Sequence, residues 1–199
     1  MALTHLKRVS FLRDLSLREL KRIHGIAQMR DFPAGSLIIK KSEAANDMFI
    51  VVSGRIKIFC YSNTKKRKTF AYLGPGDFFG ELAAIADSNR SASAETIDKS
   101  RLLIIGKQDF RQLLLSDARL CFNLLKIISQ RLIHADEEIE NLLFRNILGR
   151  VSKALFDLSK SCGEKHQNGL LLKENFTHQE LADLVGTTRE PLSRALAML

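Results

Sequence analysis

Apolar positions along this chain change their period twice. In residues 1–25, Leu12, Leu15, Leu17, Leu20 and Ile23 recur at near-helical spacing, which predicts short amphipathic helices. Residues 30–105 read differently. The runs 36–40, 48–52, 56–60 and 102–105 are β-branched or aromatic and partly alternating. Turn residues bound them at 33–35, 53–54 and 74–76, so several short strands in a small sandwich or barrel are expected. Pro75 and Gly76 suit the two central positions of a type II turn, because Gly tolerates the positive φ of the second.

From about residue 118 the period turns helical again. Leu125, Ile128, Leu132, Ala135, Ile139 and Leu142 follow a 3-4-3-4-3 spacing, the seam of a two-stranded coiled coil. Asp136, Glu137, Glu138 and Glu140 crowd the other face. An amphipathic helix packed on its own domain would share the pattern. A helix over 147–161 carries Val151, Leu155 and Leu158, a polar loop is expected over 161–169, and helices near 178–185 and 189–199 follow. The domains expected are a strand-rich one over 1–117 with short helices at its start, a long coiled-coil helix over 118–145 and a helical one over 146–199.

The last of these has helix-turn-helix grammar. Thr177 and Glu180 form a capping box, Ala182 is small where two helices would cross, and Gly186 can end the first helix in the left-handed conformation. Thr188 can cap the next helix, with Pro191 in its first turn. Leu181, Val185, Leu192 and Ala195 face inward. Thr187, Thr188, Arg189, Glu190, Ser193 and Arg194 stay outward, and these residue types contact phosphates and base edges.

A second cluster lies at 76–94. Gly80 permits close backbone approach, and a short helix over 81–86 would offer free N–H groups to an anion. Arg90 suits a phosphate, and Glu81 can accept from a ribose hydroxyl. A turn closed by a salt bridge would use the same residues.

Composition adds limits. Net charge is +9, but residues 1–145 hold 24 Lys and Arg against 16 Asp and Glu, while 146–199 hold 7 against 6. Charge is therefore concentrated outside the DNA reader. Part of it is the run Lys65, Lys66, Arg67 and Lys68, expected at a hairpin tip, where it is either solvated or in contact with flanking DNA or RNA polymerase. Cys60, Cys121 and Cys162 are far apart, and His5, His24, His134, His166 and His178 are scattered, so no disulfide framework or metal site is expected. No nucleophile–base pair or P-loop is visible, and no enzyme is expected. No stretch approaches the about 20 apolar residues of a membrane span, and the first twenty residues lack a signal peptide's apolar core. Cytoplasmic location is the expectation.

Four motifs, in this order, carry a resemblance: 74–82 (GPGDFFGEL), 90–92 (RSA), a helix carrying 130–132 (QRL), and 186–194 (GTTREPLSR). The chain resembles the catabolite activator (cyclic-AMP receptor protein) and fumarate–nitrate regulator family of bacterial transcription regulators over about residues 30–199. The resemblance implies an α+β fold: a cyclic-nucleotide-binding β-roll, a long coiled-coil dimerisation helix and a C-terminal winged helix-turn-helix. It implies a ligand site of Gly80, Glu81, Leu82, Arg90, Ser91 and Ala92, with Arg131 from the long helix. Gly80 and Glu81 would hold the ribose side, and Arg90 and Ser91 the cyclic phosphate. Arg189, Glu190 and Arg194 would read bases, with His178, Gln179, Thr188 and Ser193 beside them at the DNA. The implied partners are double-stranded DNA, a second copy of the chain and RNA polymerase; the implied ligand is cyclic AMP or another cyclic nucleotide, with no metal.

Two departures stand out. Where cyclic-AMP responders place a Thr–Ser pair that contacts adenine, this chain has Ala135 and Asp136. Ala135 cannot hydrogen-bond and an ionised Asp136 only accepts. The family also continues into a β-hairpin wing, whereas this chain stops at Leu199, so a helix-turn-helix truncated after its recognition helix is expected. Alternatives are a family member without a cyclic-nucleotide response (redox, haem or ligand-independent) and a cyclic-nucleotide module that regulates a protein partner. The iron–sulfur type needs a cysteine cluster near the N-terminus, which is absent.

Overall fold

Two neighbouring strands show how alternation in the sequence becomes layers. In the computed structural model, which describes residues 6–167, 169–173 and 175–199, β3 (Asp47–Ser53) pairs antiparallel with β8 (Ser100–Gly106), Ile50 opposite Leu103. Met48, Ile50 and Val52 of β3, with Leu103 and Ile105 of β8, pack into one apolar core; Phe49, Val51 and Leu102 pack into another. Both faces of these strands are covered, so both sets of side chains leave water.

The strands form two four-stranded sheets. One has the order β1-β8-β3-β6, with β1 (Gln28–Phe32) and β6 (Phe78–Phe79) at its edges. The other has the order β2-β7-β4-β5, formed by β2 (Leu37–Ile39), β7 (Ser93–Thr96), β4 (Ile56–Tyr61) and β5 (Arg67–Leu73). Ile39, Ile56 and Ala94 of this second sheet meet Phe49, Val51 and Phe79 of the first in one core. The other face of the first sheet is covered by helices. A 3-10 turn (Ser10–Leu12) leads to α1 (Leu17–Ile26), whose start is fixed by a capping box between Ser16 and Glu19. Between the strands come α2 (Glu81–Ala86) and α3 (Lys107–Ser116), and then α4 (Ala118–Phe144). Leu20, Ile23, Phe110, Leu113, Leu120 and Leu124 bury against β3 and β8.

Asn146 caps α5 (Ile147–Cys162) by accepting from Gly149 N–H. The segment expected as a polar loop is instead a two-stranded hairpin, β9 (Gly163–His166) and β10 (Gly169–Leu172), with Gly163 opposite Leu172. Its strands are almost wholly exposed, so burial imposes no alternation on Glu164, Lys165 and His166 and no strand signal appears. Helices α6 (His178–Val185) and α7 (Arg189–Leu196) complete the chain. Val151, Leu158, Leu181, Ala182, Val185, Leu192 and Ala195 form their common core with α5. By internal packing the chain divides into two units, Met1–Cys60 with Ala71–Arg131, and Tyr61–Phe70 with Leu132–Leu199. His5 and Asn168, which figured in the sequence reading, lie outside the described residues.

Candidate functional site

Phe79 of β6 stacks on Phe49 of β3, with ring centroids 5.0 Å apart, and this anchors the turn that follows. Gly80 then takes φ +84°, and α2 begins at Glu81. Any side chain at Gly80 would collide with its neighbour: a Cβ there would sit 2.7 Å from Arg90 Nη1. Arg90 is buried, and its guanidinium donates to the Gly80 carbonyl at 2.9 Å and the Asp47 carbonyl at 2.7 Å. Its backbone is held as well, N–H to the Glu43 carbonyl at 2.9 Å. Among the described residues no carboxylate lies within ion-pair distance of Arg90, so its charge is satisfied by neutral carbonyls alone. Burial lowers its pKa, an effect opposed by Asp47 and Glu81.

Glu81 is 1% exposed. Its partner is not Arg90 but Arg131, whose Nη1 donates to Oε1 at 2.6 Å while Nη2 donates to the Phe78 carbonyl at 2.9 Å. The Arg131 guanidinium also lies over the Phe78 ring, 4.5 Å from its centroid. Burial pushes the Glu81 carboxyl above its ordinary range, with Arg131 as the largest opposing influence. The linkage follows from that sign. Glu81 contributes stability fully below the ordinary carboxylate pKa, and the contribution is lost as pH rises through the raised one.

The structure therefore brings Gly80, Glu81, Arg90 and Arg131 together. Leu82 is exposed on α2; Ser91 is exposed and Ala92 half-buried on the way into β7. Sequence reasoning missed the Asp47 and Phe78 carbonyls, because a backbone acceptor leaves no mark on residue identity. Gly80→Ala is expected to cost about 1–2 kcal/mol, from the left-handed backbone and the displaced Arg90. Urea denaturation checks this; an unchanged midpoint would show that the turn accepts a side chain.

At the other end of the chain, Thr177 accepts from Glu180 N–H at 3.2 Å, and the Glu180 carboxylate accepts from Thr177 N–H at 2.8 Å. Gly186 takes φ +76° after α6. Thr188 stands at the N-cap of α7, but its side chain makes no capping bond, contrary to the expectation; Arg189 is the first residue of that helix. Arg189, Glu190 and Arg194 are exposed, and Glu190 and Arg194 pair at 3.3 Å one turn apart. His178 Nδ1 and Ser193 Oγ lie 2.8 Å apart and link α6 to α7. Gln179 donates to Asp183 at 2.8 Å, and Asp183, only 3% exposed, is also paired with Arg67. Among the described residues no group of three or more His, Cys, Asp or Glu is placed to hold a metal ion, and no helix is long and apolar enough to cross a membrane.

Residues 29–117 match the cyclic nucleotide-binding domain, and residues 149–199 match the Crp-like helix-turn-helix domain. The Cyclic AMP receptor protein of Thermus thermophilus is 33% identical over 172 residues, covering 86% of this chain and 76% of that one. The chain belongs to the cyclic-AMP receptor protein and fumarate–nitrate regulator family. Within the family, the CRP-like cAMP-activated global transcriptional regulator of Mycobacterium tuberculosis is 29% identical, over 84% of this chain and 75% of that one. The c-di-GMP responsive global regulator CLP of Xanthomonas campestris has a similar structure, with TM-score 0.80 and 26% identity, covering 92% of this chain and 91% of that one. A cyclic nucleotide-binding domain and a Crp-like helix-turn-helix in one chain make a ligand-responsive, DNA-binding transcription regulator.

Proposed function

We propose that this regulator works in the cytoplasm as a homodimer, by binding rather than catalysis, with a cyclic nucleotide in the roll and a palindromic operator under its two recognition helices. The observation that carries the ligand reading is Arg90, a buried guanidinium with no carboxylate partner among the described residues, set beside Gly80 and the buried Glu81 carboxylate. A buried cation held only by neutral carbonyls keeps capacity for an anion. Arg90 and Ser91 would take the cyclic phosphate, and Gly80 and Glu81 the ribose, with Leu82, Ala92 and Arg131 completing the contact set. Ala135 and Asp136, exposed on α4, offer no hydroxyl to a base. Base recognition thus differs from that of the family's cyclic-AMP responders, so the ligand is tested as a class: calorimetry against cyclic AMP, cyclic GMP and cyclic di-GMP. Binding of none at millimolar concentration would sink the cyclic-nucleotide reading in favour of a redox, haem or ligand-independent regulator.

A ligand changes DNA binding only by favouring one arrangement of the two reading heads. The segment around Asn141–Arg145, where α4 ends, is the hinge we assign to that change. At the DNA, Arg189 projects from the N-terminal end of α7, the end that enters the major groove in this motif. A guanidinium can bond O6 and N7 of guanine together. Two-fold symmetry would set the heads about 34 Å apart, on half-sites one helical turn apart. Thr188, Glu190, Ser193 and Arg194 lie beside Arg189, while His178 and Gln179 contact phosphate. Arg189→Ala is expected to cost about 1–3 kcal/mol per half-site and to relax preference at one G·C pair. Binding-site selection with both proteins checks it; identical base preferences would mean that another residue reads that pair.

A further inference from the structure

The basic run expected at a hairpin tip divides into two pairs with different surroundings. Arg67 and Lys68 open β5 and are matched. Arg67 pairs with the buried Asp183, and Lys68 donates to the Leu184 carbonyl at 2.6 Å and to Glu138 at 2.8 Å. Lys65 and Lys66 precede them in the turn and are unmatched. Neither ammonium has an acceptor among the described residues, and the same holds for the Arg189 guanidinium. These three cations line one open groove of about 380 Å³ with Gln179, Thr187 and Thr188. The one acid on its wall is Asp183, and Arg67 and Gln179 already occupy it.

Hydrogen bonds close the turn itself. Lys65 N–H donates to the Ser62 carbonyl at 3.0 Å, Ser62 N–H to the Lys66 carbonyl at 2.8 Å, and Lys66 N–H to Ser62 Oγ at 3.1 Å. Lys65 takes φ +60°, so this is a three-residue loop closed by a left-handed residue. Glycine would fill that position without steric cost. A lid covering the reading head would be expected to match its charges to the surface beneath. Lys65 and Lys66 instead share their groove with a third cation, and like charges gathered without a counter-charge suit a polyanion.

We propose that Lys65 and Lys66 are a second DNA contact, binding backbone phosphates beside the base pairs read from α7. Arg67 and Lys68 act as positioning residues that clamp the turn to α6. The inference rests on the DNA reading given above and adds to it a sequence-independent contact from outside the helix-turn-helix. Each phosphate contact contributes about 0.9 to the slope of log K against log salt. Lys65→Gly/Lys66→Ala removes four such contacts in a dimer, so the slope is expected to fall by up to about 3.6. Affinity at 0.15 M salt should fall by at least about tenfold, with unchanged base preference.

The test is fluorescence anisotropy with a selected duplex over a range of KCl concentrations, using the full chain. Lys65→Gly alone separates charge from folding, because it should leave thermal stability equal or higher while weakening DNA binding. Lys21→Ala/Arg22→Ala on α1 removes the same charge elsewhere and should leave the slope at the wild-type value. If wild type binds its duplex and the double variant matches it in slope and affinity, the contact does not exist. Tighter binding by the variant would make the turn a cover and overturn the proposal. If wild type binds no duplex at all, the DNA reading itself fails and this inference falls with it.

Discussion

Arg90→Ala is expected to weaken cyclic-nucleotide binding by about 100-fold or more, the loss of one charge with two charge-assisted hydrogen bonds at about 1.5–3 kcal/mol each. The guanidinium now spans two backbone carbonyls, Gly80 and Asp47, which lie in different elements and fix its plane. A planar fork held in this way offers its remaining N–H groups in a set direction. Arg90→Lys keeps the charge but not the fork, so it should bind better than alanine and worse than wild type. Removing the side chain also deprives both carbonyls of a donor, at about 1 kcal/mol each. Thermal melts must therefore accompany the calorimetry. A folded Arg90→Ala protein that binds as wild type does would move the phosphate site elsewhere.

Legibility in the sequence followed the range of the interaction. The strands at 48–52 and 102–105 could be read because burial on both faces imposes a run of apolar residues, and they are β3 and β8. The capping box of Thr177 with Glu180 and the left-handed Gly186 are local devices, and both stand where expected. The strands β1, β5, β6 and β7 were not individually legible: β6 and β7 are buried but too short to show a period, and β1 and β5 carry no clean alternation of buried and exposed positions. At the candidate site, Gly80, Glu81, Arg90 and Arg131 could be singled out from the sequence but their pairing could not. Glu81 and Arg90 are close in sequence, yet Glu81 pairs with Arg131, fifty positions on. Likewise nothing near Asp183 announces Arg67, 116 positions before it. Such pairs exist only once the sheets and helices have set the distances. Thr188 shows the converse, a suitable capping residue in the N-cap position whose hydroxyl makes no capping bond.

Leu132→Asp is expected to turn a dimer into a monomer. The seam predicted on α4 meets the structure unevenly. Leu125, Leu132, Ile139 and Leu142 stand on the helix surface, Leu132 at 62% exposed, and Ala135 is exposed with them. Ile128 instead lies half-buried against the core that holds Leu120 and Leu124, so the seam is shared with the helix's own domain at that point. Four large apolar side chains left in water at coiled-coil spacing call for a partner, and a second copy presents the same row. An aspartate at the middle of that row would face its symmetry mate, burying two like charges without compensation. That costs about 3 kcal/mol or more, at least 100-fold in dimer affinity. Leu115→Asp is the control: Leu115 is 88% exposed on α3, off the seam, and should leave assembly unchanged. Sedimentation velocity at micromolar concentration separates the outcomes. A monomer should also bind one half-site with the affinity of a single head, so operator binding should collapse along with the dimer. If Leu132→Asp sediments as a dimer, the interface lies on another face, and the row on α4 needs a different occupant.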